Sequence, residues 1–76
     1  MAIIMAANKD RNGTVYVGHR HPDAFAIMPD DMIDDCIQGF VTDEGVFVDR
    51  REAAVIAFNC GQVSELTEIV ISEDLW

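Results

Sequence analysis

Apolar positions along this chain come in short runs broken by turn-forming residues, and their spacing alternates between that of strands and that of helices. Ala2 to Ala7 (Ala-Ile-Ile-Met-Ala-Ala) is apolar and partly β-branched, which predicts a buried strand. Asn8 to Gly13 is a turn cluster, and its Asn12-Gly13 pair favours positive φ and a tight hairpin. Thr14 to Gly18 has strong β propensity, so residues 1–18 predict a β-hairpin. His21-Pro22 then breaks the pattern, and the apolar run Ala24 to Met28 is expected as an extended segment.

Pro29-Asp30-Asp31 has the marks of a helix start, because proline suits the first turn and aspartates favour the positive end of the helix dipole. Met32, Ile33, Cys36 and Ile37 share one face at helical spacing, opposite Asp30, Asp34 and Asp35, with Gly39 as the expected C-cap. Phe40-Val41-Thr42 and Val46-Phe47-Val48 flank Asp43-Glu44-Gly45 and predict a second hairpin. Asp49 stands at capping-box spacing before Glu52, which predicts a helix over 50–60 that stops at Gly61. Ala53, Ala54, Ile56, Ala57, Phe58 and Cys60 make that helix apolar around much of its circumference, so it is the expected most buried element. Glu68 to Ile71 reads as a closing strand, Ser72-Glu73-Asp74 as a second cap, and Leu75-Trp76 as a pair that packs on the domain or a neighbour. The order of elements predicts one α+β domain over 1–76, a small, mostly antiparallel sheet with two short helices packed on one face.

Size and charge narrow the picture. At 76 residues the chain buries only a modest share of its surface, yet half of it is apolar and its mean hydropathy is +0.12. That argues against disorder and suits apolar surface buried against a partner or a second copy, so a homo-oligomer is an expectation. The net charge of −9 repels nucleic-acid phosphates and argues against a general DNA or RNA binder. It suits solubility, or docking on a basic host protein. The two cysteines, Cys36 and Cys60, lie in apolar helical patterns and make no disulfide framework. With no basic leader, no signal-like h-region and no apolar run of membrane-spanning length, the expected location is the host cytoplasm.

The positive charges gather in three clusters: Lys9 with Arg11, the run Gly18-His19-Arg20-His21, and Arg50-Arg51. If the strand from Thr14 continues, His19 and His21 share a face and Arg20 takes the other. Two imidazoles beside Asp23 could bind a metal, act as acid and base in a small hydrolase, or grip a phosphate together with Arg20. They could equally form a structural turn whose imidazoles satisfy backbone groups. An HxH pair needs further ligands, with Asp23, Cys36 and Cys60 the nearest candidates, and neither a metal nor a cofactor is expected. Arg50 and Arg51 open a helix, where cations oppose the dipole. A salt bridge to Asp34 or Asp35 explains them, and so does joint binding of a phosphate or carboxylate, although Asp49 already serves the N-terminal amides. Tyr16 and Trp76 are the amphipathic rings able to stack on a nucleobase. There is no GxSxG, P-loop, dinucleotide-binding or CxxC motif. Ser64 and Ser72 lie far in sequence from the histidines, which gives serine chemistry poor support.

Gly18-His19-Arg20-His21 with Asp23, Gly39-Phe40-Val41-Thr42, Gly45, Phe47 to Arg50, Glu52-Ala53, Ile56-Ala57, Gly61-Gln62 and Ser72 to Trp76 together resemble a family of small, mostly uncharacterised bacteriophage and prophage proteins. The resemblance covers residues 18–76. It implies that Arg20, His21, Asp23, Thr42, Arg50, Glu52, Gln62, Glu73 and Asp74 are positions the family uses, for folding or for function. The expectation that follows is a non-enzymatic phage accessory protein, directed against host defence. Its expected ligand is small and phosphorylated or nucleotide-like, held by His19, Arg20, His21, Asp23, Thr42, Arg50 and Gln62. The alternatives are an acidic inhibitor of a basic, nucleic-acid-handling host protein, and a small His/Asp hydrolase.

Overall fold

The computed structural model describes residues 1–75. Its centre is a four-stranded antiparallel sheet in the order β2-β1-β3-β4, with β1 at Ile3–Lys9, β2 at Val15–Gly18, β3 at Ile37–Thr42 and β4 at Phe47–Asp49. Helix α1 (His21–Ala26) packs against β2 and β1, and α2 (Arg50–Asn59) packs against β3, β4 and β1. A short α3 (Ser72–Leu75) ends the described chain. The α+β architecture is the one the element order predicts.

Both hairpins turn by the same device. In the first, Asp10 Oδ1 accepts the amides of Asn12 and Thr14, each at 2.9 Å, and Gly13 takes φ of +87°. In the second, Thr42 Oγ1 accepts the amides of Glu44 and Val46, at 3.3 and 3.4 Å, and Gly45 takes φ of +77°. An acceptor side chain followed three positions later by glycine in the left-handed region is the local code for both.

Register sorts the strand residues by face. Ala6, Phe40 and Val48 point to the helices and meet Ala53, Ala54 and Ala57 of α2 in the core. Small alanines let the helix approach the sheet closely, so Phe40 fills the space between them. The opposite face carries Met5, Ala7, Lys9, Val15, Val17, Ile37, Val41 and Phe47, with no helix over it among the described residues.

Several local expectations give way to tertiary structure. Ala24–Ala26 is helical rather than extended, because α1 begins at His21 with Pro22 in its first turn. Asp23 accepts the Arg20 amide at 3.3 Å and fixes that start. The helix expected from Pro29 to Gly39 shrinks to a 3-10 turn at Asp30–Met32, because Ile37–Thr42 is taken as a central strand between β1 and β4. Gly39 is therefore a buried strand residue and not a cap, and Cys36 sits in the loop before β3. α2 forms as expected, with Asp49 Oδ1 accepting the amides of Arg51 and Glu52 at 2.9 Å each. It is buried on one side only, since Val55 and Phe58 remain exposed. Glu68–Ile71 is not a strand; Val70 is buried and donates one backbone hydrogen bond to the Arg50 carbonyl. Leu75 packs on the core, while Trp76 lies outside the described residues.

Candidate functional site

Strand β2 ends at Gly18, so His19 and His21 do not share a strand face. His19 is exposed, and His21 enters α1 and is buried. The His21 ring meets Phe40 edge-on, with centroids 4.9 Å apart. Its Nε2 lies 2.8 Å from the Gly39 carbonyl oxygen and its Nδ1 2.6 Å from Ser72 Oγ. A carbonyl can only accept, so Nε2 carries the proton and the Ser72 hydroxyl donates to Nδ1. Ser72 Oγ in turn accepts the His21 amide at 3.1 Å. Burial pushes the His21 pKa below its ordinary value, the nearby Arg50 adds to this, and the Gly39 carbonyl and Glu73 pull the other way. Ser72, distant in sequence from the histidines, is thus brought directly onto one of them; no local pattern announces it. With Ser72 itself 1% exposed, the pair ties α3 to α1 and β3.

A second feature lies where β4 ends two positions short of the start of β3. Gly39 pairs with Asp49, and beyond it Ile37 and Gln38 have no β4 neighbour. The resulting notch, about 310 Å³, is lined by Cys36, Ile37, Gln38, Asp49, Arg50, Arg51 and Ile69. Arg51 pairs with Glu68 at 3.3 Å, and Arg11 takes Asp35 at 2.9 Å, so the aspartate loop does not serve Arg50 or Arg51 as expected. Half-buried Arg50 makes no ion pair among the described residues. Burial pushes the Cys36 thiol up, which keeps it protonated and neutral at pH 7.

A family model described as the phage T4 y16D protein matches residues 2–76. The chain belongs to that phage protein family. Comparison with curated proteins and with solved structures gives no match.

Among the residues expected at a site, this y16D-family protein brings His21 and Arg50 into electrostatic reach of each other. It spends others on the fold. Asp23 caps α1 and Thr42 builds the second turn. Gln62 clasps β1, where its Oε1 accepts the Ile3 amide and its Nε2 donates to the Ile3 carbonyl, both at 2.8 Å. Arg20 stands half-buried just before α1. A larger concavity, about 520 Å³, lies beside Gln62 and is walled by Ser64, Glu65, Thr67 and Asp74. Its two carboxylates make it a poor home for an anion. Among the described residues no three His, Cys, Asp or Glu side chains gather as a metal site, and no helix is long and apolar enough to cross a membrane. Gln38 and Ile69, which line the notch, are residues that sequence reasoning missed. They become neighbours of Arg50 only because β4 stops early.

Proposed function

We propose that this phage protein acts by binding rather than catalysis, and that the notch beside β3 takes a small phosphorylated or nucleotide-like ligand. Sequestering such a ligand would serve counter-defence during infection. The observation that carries the reading is Arg50, a half-buried guanidinium that lines the notch and has no ion pair among the described residues. A guanidinium presents a planar fork of donors that matches phosphate oxygens. Asp49 already occupies the amides of Arg51 and Glu52, so the anion leans on side chains and not on the helix end. The Arg51–Glu68 bridge is exposed on both sides and contributes at most about 1 kcal/mol, so Arg51 is free to turn to a phosphate. Gln38 and the neutral Cys36 thiol supply uncharged polar contacts for the rest of the ligand.

Isothermal titration with mono-, di- and cyclic nucleotides tests this. Heat with at least one of them is expected, with affinity reduced about tenfold or more in Arg50→Gln at unchanged thermal stability. Absence of heat with every nucleotide at micromolar protein removes the reading.

A second reading, an acidic inhibitor of a basic host protein, is favoured by the exposed Asp30, Asp31, Asp34 and Asp35 in one loop. It requires binding to a basic partner that weakens steeply as salt rises.

A further inference from the structure

The face of the sheet turned away from the helices is apolar and no described helix packs over it, although Ala7 on its central strand is already fully buried. Val15, Val17 and Ile37 on it are 38%, 42% and 55% exposed, and half-buried Val41 and Phe47 continue it toward the β4 edge. Asp49, at the end of β4, turns its carboxylate to the amides of α2. Lys9 is then the formal charge of this face. It stands at the end of β1, with its ammonium 5.4 Å over the Phe47 ring, where the cation is already partly satisfied.

We infer that this open face joins two copies of the chain face to face in a homodimer. Charge selects the occupant. A basic partner would meet Lys9 here and no free carboxylate. A strongly acidic surface would find here only Lys9, whose ammonium already lies over the Phe47 ring. A near-neutral apolar surface with its cation at the rim fits, and a second copy supplies one of matching size. The acidic groups that oppose association lie mainly in the loops and helices, outside this face, where salt screens them beyond roughly 8 Å. Area sets the strength. Four strands at about 4.8 Å spacing, each about five residues long, cover roughly 19 by 17 Å. Two such faces together remove on the order of 650 Å² from water, short of the roughly 1,000 Å² of a stable specific interface, so the dimer is weak and concentration-dependent.

Sedimentation equilibrium of the full chain decides the matter. The expected mass approaches twice 8.4 kDa at high concentration, and association tightens as salt rises because repulsion between like-charged copies is screened. Val17→Asp, which charges the exposed β2 edge of the face, is expected to sediment as a single copy throughout. Val15→Asp does the same while placing a carboxylate directly across from Lys9, which supports the isolated fold should Val17→Asp unfold. A single-copy mass for the unaltered chain up to roughly 1 mM overturns the inference. So does a dimer that both variants leave intact, or one that loosens with salt, which would indicate a charged contact elsewhere. Ile37 belongs to both the face and the notch, but neither valine lines the notch, so nucleotide titration of the single-copy Val17→Asp chain tests the notch apart from the dimer.

Discussion

Ser72 Oγ lies 2.6 Å from Nδ1 of His21 across a sequence separation of 51 residues, and neither side chain is open to solvent. The bond closes the molecule by seating α3 against α1. The opposite ring nitrogen, on the Gly39 carbonyl, extends the tie to the central strand β3. The histidine run therefore supplies one structural fastener, buried His21, and one exposed ring, His19.

That fastener makes stability depend on pH. The unfolded chain takes up a proton on His21 near pH 6.5, whereas burial holds the folded imidazole below that value. Between the two values the unfolded state holds more protons, so stability falls as pH drops below about 6.5 and is insensitive to His21 above it. Urea midpoints measured from about pH 7.5 down to pH 5 should show this decline, and His21→Gln should flatten it relative to the unaltered chain. At pH 7, Ser72→Ala should cost about 1–3 kcal/mol, because it strips a partner from both the ring and the His21 amide.

Gln62 predicts a loss of similar size by a different route. Its amide imitates a neighbouring strand at Ile3, on the stretch of β1 that β2 does not reach. Gln62→Ala breaks two main-chain bonds and should lower stability by about 1–3 kcal/mol. Gln62→Glu keeps the acceptor for the Ile3 amide but sets a carboxylate against the Ile3 carbonyl, so it should be no better than alanine. Thermal unfolding of both variants checks this. If either unfolds at the temperature of the unaltered chain, the clasp is not holding β1.

What was legible in the sequence is what depends on neighbours along the chain. The two turns declare themselves through Asp10 with Gly13 and Thr42 with Gly45, and α2 through the Asp49 cap. The start of α1 was also written locally, in Pro22 and Asp23, but the proline reads more readily as a break than as a first turn. β3 was not legible in that way. Met32, Ile33, Cys36 and Ile37 keep helical spacing, yet the last of them is drawn into a strand whose hydrogen bonds come from β1 and β4. Periodicity does not register such distant bonds. The candidate site divides along the same line. Arg50 stood out by its charge at a helix start, while Gln38 and Ile69 join it only through the topology of the sheet.

Gly39 shows how tightly that topology is packed. A Cβ here would strike the Val48 carbonyl oxygen and lie 2.6 Å from Phe47 Cζ, because the Phe47 ring lies across the glycine. The backbone oxygen belongs to the paired strand β4 and has nowhere to go. Gly39→Ala should therefore destabilise by about 2 kcal/mol or more, in line with overpacked cores. Far-UV circular dichroism during urea unfolding measures it, and a midpoint equal to that of the unaltered chain would mean that β4 can shift at no cost.

Asn8 should respond in the opposite direction. It is fully buried on the helix side of β1, between Tyr16 and Gln38 in register, and neither Oδ1 nor Nδ2 has a hydrogen-bond partner among the described residues. A buried amide without partners costs about 1–3 kcal/mol, and leucine has a similar shape with no polar atom to satisfy. Asn8→Leu should raise stability by about 1 kcal/mol, or 4–8 °C in a domain of this size. Asn8→Asp should do the reverse and more strongly, since it buries a charge where an uncharged amide already lacks bonds. The pair separates two meanings of the residue. If leucine stabilises, the amide is a liability that the fold tolerates. If leucine destabilises as much as aspartate, the amide is bonded in solution, and Gln38, the cross-strand neighbour that also lines the notch, is the side chain positioned to turn toward it.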